Sequence, residues 1–478
     1  MKSALQSITF KSARNVFVGL ACLLLIACDG FEGTFVAGIE GTGITSGFGS
    51  VFVNGREFAT DDAEIVFNGN QVNESFLRVG DVLSVSGTVD SDGNAQAQRI
   101  EFVRVVDGPV QAMSLLNGVG TVTTLGQVVE INESTNFINT TADDLAMNDL
   151  IAVSGQIGPN GVLHATSLEE STVAYNAGVT RIEADGLVSN LDTGANTLNI
   201  GVLQVEFDAV SVNTEEGPLE NGAFIEVFGT QSGTGAPLVA DAVSVVNRSV
   251  GQPGGRVQTD SIITDFNSLG DFMLNGQPVN AANATRTDMV NLAPNNGVRV
   301  EVEGELRSGV IIVERLAVRP PASIRLNAVV DNVTTTGLEL LGVSAQAQPT
   351  TQYLDASTAN LRTFRLDALS VGDFVSAQGF RNTTGQFVLT RLERRNASNQ
   401  TLARGHVDSF DQAVGSIIVR GVTVRTDANT QFSNAQGESV DANSFYTDLN
   451  ENDPVVAIGP ENANEINAAD TVQSLATN

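Results

Sequence analysis

Few side chains in this 478-residue sequence have the type and spacing that chemistry requires. The chain contains two histidines, His164 and His406, and two cysteines, Cys22 and Cys28. The histidines lie far apart near strand-like stretches, and neither has the close ligand spacing of a zinc motif. No serine lies in a nucleophile-elbow pattern, and a Ser-His-acid triad would depend on one of these two histidines. We therefore predict a protein that is not an enzyme and has no cofactor, with both histidines at the surface or in turns.

A calcium-loop pattern is present only in part. Asp90, Asp92 and Asn94 place oxygen side chains at alternate positions, and Glu101 falls at the twelfth position, as in an EF-hand loop. However, Ala95 lies where such a loop needs glycine, and the flanking segments alternate like strands rather than helices. The same residues are typical of a hairpin turn. We favour a plain turn and keep these four oxygen-bearing residues as a weak metal candidate.

Four aspartates recur at corresponding positions along the chain: Asp81, Asp149, Asp373 and Asp453. They could line a ligand-binding face or bind cations. They could also cap their own turns by accepting hydrogen bonds from backbone N–H groups. A residue repeated at a repeated turn needs no ligand to explain it, so the capping role is favoured.

The first 27 residues have the features of a signal peptide. Positive charge comes from Lys2, Lys11 and Arg14, and the apolar run from Val16 to Ala27 follows. This run is too short for a helix that crosses a bilayer, which needs about 20 apolar residues. The segment is therefore predicted to be removed on export.

The apolar run ends in Leu25-Ile26-Ala27-Cys28, which resembles the lipobox of bacterial lipoproteins. That resemblance implies cleavage in front of Cys28 and attachment of acyl chains such as palmitate to this residue, which would hold the protein on a membrane. In enteric-type bacteria, Asp29 resembles the signal that retains a lipoprotein in the inner membrane. The alternative is an ordinary secretory signal that happens to end in cysteine. In either case the exported chain has no cysteine available for a disulfide or a thiolate ligand.

Composition excludes some partners. The formal net charge is −30, and such a surface repels phosphate backbones, so we expect no nucleic-acid binding. The absence of tryptophan and the presence of only three tyrosines argue against base-stacking platforms. Apolar residues nevertheless make up 42% of the chain and 47 glycines punctuate short apolar runs, which is typical of many short strands joined by tight turns.

An internal repeat is the most informative feature after the N-terminus. The segment Leu77-Arg-Val-Gly-Asp-Val-Leu-Ser-Val-Ser-Gly87 recurs at 145–155 and 369–379, and weaker copies occupy 222–229, 297–304 and 452–459. The closing glycines of the six copies are separated by 68, 74, 75, 75 and 80 residues. The weaker copies lack the aspartate or the leading leucine.

Each copy predicts a turn followed by a strand with alternating apolar residues. A glycine-containing turn and a second strand come next, which indicates a β-hairpin. Upstream, another turn such as Asn54-Gly55 separates two short apolar runs. This gives about five strands in each unit of roughly 70 residues, and closure into a small barrel would leave no strand edge exposed.

The strand order resembles small OB-like barrels, and residues 41–476 resemble bacterial envelope lipoproteins that carry a tandem domain of unknown function. The predicted fold class is all-β, with about six tandem five-stranded OB-like barrels after a lipoprotein signal peptide. One continuous β-solenoid or a series of sandwiches is the alternative. The predicted segments are a signal peptide (1–27), a lipidated cysteine with linker (28–43) and six β units (44–110, 111–176, 177–249, 254–321, 322–399 and 400–478).

The expected function is that of a membrane-anchored scaffold or binding protein of the cell envelope. Small rigid units in series would form a projecting rod that is fixed at one end by lipid. Its partners would be an envelope protein, peptidoglycan or a polysaccharide. The periplasmic face of the inner membrane is favoured, with the outer membrane or cell surface as alternatives. A surface adhesin or matrix protein, and a hydrolase with a dispersed carboxylate site, are the competing functions.

Overall fold

The computed structural model describes residues 37–67, 69–246, 251–287 and 289–475. The predicted signal peptide, Cys28 and Asp29 lie outside these residues. Within them, no helix is long and apolar enough to cross a membrane.

The described residues form six successive β units. The strands of the first unit are Ala37–Gly47, Val51–Val53, Arg56–Ala59, Glu64–Phe67, Asn70–Gln71, Val82–Val89 and Ala95–Val103. Those of the second are Val106–Leu116, Val119–Thr124, Gln127–Ile131, Asn136–Ile138, Leu150–Ile157 and Leu163–Glu170. Those of the third are Ile182–Asp192, Thr197–Ile200, Leu203–Glu206, Val212–Asn213, Phe224–Gln231 and Leu238–Val245.

The second half of the chain repeats this order. The strands of the fourth unit are Arg256–Ser268, Asp271–Leu274, Gln277–Asn280, Thr285–Arg286, Arg299–Arg307 and Val310–Val318. Those of the fifth are Ile324–Val329, Asn332–Val333, Gly337–Leu340, Val343–Gln346, Gln352–Asp355, Phe374–Arg381 and Phe387–Arg395. Those of the sixth are Thr401–Asp411, Ser416–Val419, Val422–Arg425, Gln431–Ser433, Ser439–Val440, Pro454–Gly459, Glu461–Asn462, Glu465–Ile466 and Thr471–Ser474.

Helices are short in the described residues. The 3₁₀ turns are Glu74–Phe76, Pro159–Gly161, Ala209–Ser211, Leu366–Ala368 and Gln412–Val414, and the sixth unit adds the α-helix Ala442–Asp448.

Each unit closes into a five-stranded barrel. In the first unit the long first strand pairs antiparallel with the second, and the second pairs antiparallel with the third. The third strand then pairs in parallel with the last, the last pairs antiparallel with the penultimate strand, and the penultimate strand returns to the first. The other units repeat this circuit, although the first strand of the fifth unit is divided into Ile324–Val329 and Asn332–Val333. In the sixth unit the penultimate strand is divided into Pro454–Gly459 and Glu461–Asn462, and the last strand into Glu465–Ile466 and Thr471–Ser474. This is the strand order of an OB barrel, so the prediction of an all-β chain of tandem five-stranded OB-like barrels is confirmed and the solenoid and sandwich alternatives are wrong.

The closing glycine of the repeat lies at a bulge in the penultimate strand. The register shifts between Ser86 and Gly87, where the strand bends tightly over the last strand. A Cβ atom at Gly87 would clash with the carbonyl oxygen of Gln96, and the corresponding glycines of the next four units meet a backbone carbonyl in the same way. Glycine therefore recurs here because two backbones approach closely, as the bend of a small barrel requires.

The turn between the second and third strands has its own backbone requirement. Asn54 and Gly55 both have positive φ, at 53° and 71°. Two successive residues with positive φ give the tight turn whose twist matches a two-residue hairpin. This is why the upstream turn is visible in the sequence.

The first strands also join the barrels in pairs. In each unit the second strand covers only the C-terminal part of the first, so the N-terminal part keeps an edge with unpaired backbone groups. Residues 39–42 of the first unit pair in parallel with 256–259 of the fourth. Residues 106–107 of the second pair antiparallel with 183–184 of the third, and 325–327 of the fifth pair antiparallel with 402–404 of the sixth.

This pairing of first strands contradicts the prediction that the units form a rod in series. The first unit pairs with the fourth rather than with its neighbour in sequence, so the barrels are not arranged in a simple row. The second and third units share one continuous hydrophobic core, and so do the fifth and sixth. The first and fourth units keep separate cores.

Two predicted boundaries also change. The first barrel begins at Ala37, inside the segment 28–43 that was predicted as linker. The boundary between 110 and 111 falls inside the strand Val106–Leu116, which is the first strand of the second barrel. Both errors have the same cause, because the prediction placed each unit's start at its turns and the long first strand precedes them. The boundaries predicted after residues 176, 321 and 399 fall between strands.

Candidate functional site

The four repeated aspartates occupy the same position in four barrels. In each case a carboxylate oxygen accepts a hydrogen bond from the backbone N–H three residues earlier. The donors are Arg78 for Asp81 (2.7 Å), Ala146 for Asp149 (2.7 Å), Ser370 for Asp373 (3.0 Å) and Asn450 for Asp453 (2.7 Å). This geometry fixes the turn before the penultimate strand.

Asp81 differs from the other three in its surroundings. It is 2% exposed, whereas Asp149, Asp373 and Asp453 are half-buried. Ser167, on the last strand of the second barrel, covers it and donates its hydroxyl to the carboxylate at 2.8 Å. Burial raises the pKa of Asp81 to about 7, against the opposing effects of the Arg78 N–H, Ser167 and the more distant arginines.

A second carboxyl group at the same junction is also perturbed. Burial raises the pKa of Asp107 to about 6, and the neighbouring Glu169 adds to this effect. Arg104 opposes the shift and lies 3.7 Å from Asp107 and 2.8 Å from Glu169. The seam between the first two barrels therefore contains two carboxyl groups whose charge state changes near neutral pH.

The weak metal candidate forms a hairpin turn. One oxygen of Asp90 accepts the backbone N–H groups of Asp92 and Asn94, each at 2.9 Å, and the other accepts the Asn94 amide at 2.8 Å. The hydrogen bond from the Asn94 side chain holds the pKa of Asp90 below its usual range. Glu101 lies on the strand beyond, 3.8 Å from Arg99. In the part of the chain that the structure describes, no group of three or more His, Cys, Asp or Glu side chains is arranged to hold a metal ion.

A loop of the second barrel forms ion pairs and hydrogen bonds with arginines of the fifth and sixth barrels. Glu133 forms ion pairs with Arg325 of the fifth barrel, at 3.3 Å, and with Arg404 of the sixth. Arg391, which is 4% exposed, donates to the carbonyl oxygen of Thr135 and to Asn136 Oδ1 at 3.3 and 2.7 Å. These contacts join the second barrel to the fifth and sixth barrels, which are themselves paired through their first strands.

The fifth barrel also reaches the first. The Arg362 and Arg365 guanidinium carbons lie 3.6 and 3.4 Å from the ring centres of Phe48 and Phe52. Such cation–π contacts are strongest where water is excluded, and Phe48 is 4% exposed. Barrels that are distant in sequence are therefore neighbours in space.

A cleft of about 400 Å³ lies where the first, second, fourth and fifth barrels meet. Ile44, Ile262, Phe380 and Leu389 supply part of its apolar wall, one or more from each of three barrels. The second barrel adds mainly polar side chains, including Ser134. A concave, largely apolar site of this size at a junction of domains is the usual form of a small-molecule site.

All four ionisable side chains that line the cleft have a partner within the protein. Arg299 forms two hydrogen bonds of 2.6 Å with the carboxylate of Asp260, and Arg319 binds Glu301. His164 Nδ1 lies 3.2 Å from the carboxylate of Glu130, which also lines the cleft. Each ionisable side chain of the lining therefore already has a contact partner in the protein.

A larger open groove of about 740 Å³ lies between the first and fourth barrels. Its lining is more polar, with six charged residues: Arg56, Glu57, Glu301, Glu303, Arg315 and Arg319. Glu303 binds both Arg256 and Arg315, and all three residues lie on strands of the fourth barrel, so these charges are already engaged within that barrel. We therefore take the central cleft as the candidate site.

Sequence reasoning did not find the cleft. His164 was predicted to be a surface or turn residue, and the structure places it on the last strand of the second barrel with its side chain at the cleft. His406 lies on the first strand of the sixth barrel, where burial and Arg420 lower its pKa. No local pattern marks the cleft, because its walls come from four units.

Comparison with known proteins identifies the repeat. A family profile described as a domain of unknown function (DUF5666) matches residues 39–101, 107–169, 261–315, 327–393 and 404–459. These segments correspond to the first, second, fourth, fifth and sixth barrels, and the third barrel has the same strand order. No curated protein matches the chain. Among solved structures, a chain titled "drosophila Unr CSD456" is 14% identical, with a TM-score of 0.15 over 45% of this chain and 99% of that one.

Proposed function

Because the chain belongs to the DUF5666 family, with five matched copies, we propose that its six barrels form a non-enzymatic binding scaffold of the bacterial cell envelope. The observation that carries this proposal is the central cleft, which exists only because four barrels meet. A chain of independent barrels would have no such site. Strand pairing and ion pairs between barrels thus create a binding cleft in the tandem repeat that a single barrel lacks.

The arrangement of charge supports a binding role rather than catalysis. The ionisable groups at the cleft contact partners within their own barrels, and the repeated aspartates cap turns. The formal charge of −30 makes anionic polymers poor partners. Envelope proteins, peptidoglycan and neutral polysaccharides are the partners compatible with this surface.

Membrane attachment through Cys28 is part of the proposal. Its support is the sequence Leu25-Ile26-Ala27-Cys28 after a short apolar run. Acyl chains on this cysteine would place the first barrel near the membrane, since Ala37 already begins its first strand. Asp29 favours the periplasmic face of the inner membrane.

Metabolic labelling with palmitate tests the anchor. Label should enter the full-length chain and be absent from the variant Cys28→Ala, which should also be released from membranes. A labelled Cys28→Ala protein, or an unlabelled parent, would overturn the assignment of the anchor.

Protease treatment of intact cells and of spheroplasts tests the location. Protection in intact cells with cleavage in spheroplasts is expected for a periplasmic protein. Cleavage in intact cells would place the barrels outside and replace the periplasmic scaffold with a surface adhesin.

A further inference from the structure

We propose that the central cleft binds an uncharged small molecule that has both apolar faces and hydrogen-bonding groups. This inference rests on the proposed binding function and names the class of ligand. It follows from three properties of the cleft, which are its charge, its lining and its enclosure.

The internal partners of the ionisable side chains disfavour ionic ligands. Arg299 and Asp260 are joined by two hydrogen bonds, and Asp260 is 3% exposed. Gln156, which also lines the cleft, donates its amide to the Asp260 backbone carbonyl at 2.8 Å and so fixes this pair from the second barrel. An anionic ligand would have to compete with Asp260 for Arg299, and a cationic ligand would have to compete with His164 for Glu130. An uncharged ligand leaves these pairs intact and avoids the desolvation cost of a charge.

The lining of the cleft offers both hydrogen-bonding groups and apolar surface to a ligand. Neutral hydroxyl and amide side chains project from two facing barrels, among them Ser134 and Thr166 from the second and Thr350 and Gln352 from the fifth. Gln352 is 8% exposed, and its Oε1 has no hydrogen-bond partner in the protein. Ile262, Phe380 and Leu389 provide apolar surface beside these groups. A purely apolar ligand would leave buried polar groups unsatisfied, which is costly.

Enclosure limits the size of the ligand. A volume of about 400 Å³ lies within the range of small-molecule sites and is far below what a folded partner would need. Four barrels hold the walls, and the segment Pro320-Pro321 between the fourth and fifth barrels forms part of the lining. Proline fixes the backbone, so this wall is preformed rather than induced by the ligand.

The test uses the chain from residue 28 onward with Cys28→Ala, which retains every strand of the six barrels. The probe is the uncharged dye Nile red, and the anionic dye 8-anilinonaphthalene-1-sulfonate serves as the charged comparator. Saturable binding of one Nile red molecule is expected, with binding of the anionic dye weaker by about tenfold or more. Thr350→Trp should fill the cleft and weaken Nile red binding by at least about tenfold.

The matched control is Thr335→Trp, an exposed position in the same barrel, which should leave binding unchanged. Ser134→Phe repeats the test from the second barrel, and melting temperatures show that each variant is folded. Equal Nile red affinity in the parent and in either folded cleft variant would overturn the proposal, as would equal affinity for the two dyes. Such a failure would leave palmitate labelling and protease protection unaffected, so it is distinguishable from failure of the envelope assignment.

Discussion

Replacement of Asp81 by asparagine should change how stability depends on pH. The folded protein holds the pKa of Asp81 at about 7, against 3.8 for an ordinary aspartate. The folded state therefore keeps a proton on this group between pH 4 and pH 7, where the unfolded chain has lost it. Stability falls as pH rises through that window and is constant with respect to this group above it.

The magnitude follows from the size of the shift. One pKa unit corresponds to about 1.4 kcal/mol, so a rise from 3.8 to about 7 corresponds to about 4 kcal/mol. Asp81→Asn has a similar shape and no charge to bury. Its carboxamide can still accept the Arg78 N–H and contact the Ser167 hydroxyl. We expect the variant to match the parent near pH 4 and to exceed its stability by up to about 4 kcal/mol at pH 8.

The assay is denaturant unfolding at several pH values between 4 and 8, together with hydrogen exchange of residues 78–86 as a local readout. Asp149→Asn is the matched control, because Asp149 makes the same turn hydrogen bond at a half-buried position. Its free energy of unfolding should be slightly lower than that of the parent at every pH. Asp107, whose pKa is raised to about 6, contributes to the slope that remains between pH 4 and 6 in Asp81→Asn. A constant difference between Asp81→Asn and the parent from pH 4 to pH 8 would refute the reasoning.

Two further predictions concern packing. Glu133→Ala leaves Arg325 and Arg404 without their shared carboxylate at the junction of three barrels. We expect it to lower the free energy of unfolding by about 3 kcal/mol, as measured with denaturant. Glu220→Ala, at an exposed site, is the control and should lower it little. Equal losses for the two variants would show that the ion pairs of Glu133 contribute nothing. Gly379→Ala places a methyl group against the Val388 carbonyl at the bulge of the fifth barrel and should cost about 2 kcal/mol. Gly38→Ala, where a Cβ atom meets nothing within 4 Å, is the control, and a neutral Gly379→Ala would contradict the close-approach explanation.

The sequence by itself determined the barrel. The alternation of apolar residues, the turn residues and the repeated glycine are local requirements of one five-stranded unit, and each unit satisfies them with its own residues. For that reason six units and their closure could be predicted. The same local reasoning misplaced the start of the first two barrels, because a long first strand has no distinctive residue at its beginning.

The tertiary structure decided how the barrels are joined and where the candidate site lies. First strands pair through backbone N–H and C=O groups, which are the same at every position and leave no signature in the sequence. Asp81 and Asp149 occupy the same motif, yet only Asp81 is buried, because Ser167 of another barrel covers it. The cleft likewise combines side chains from four barrels, and their proximity depends on which strand edges meet.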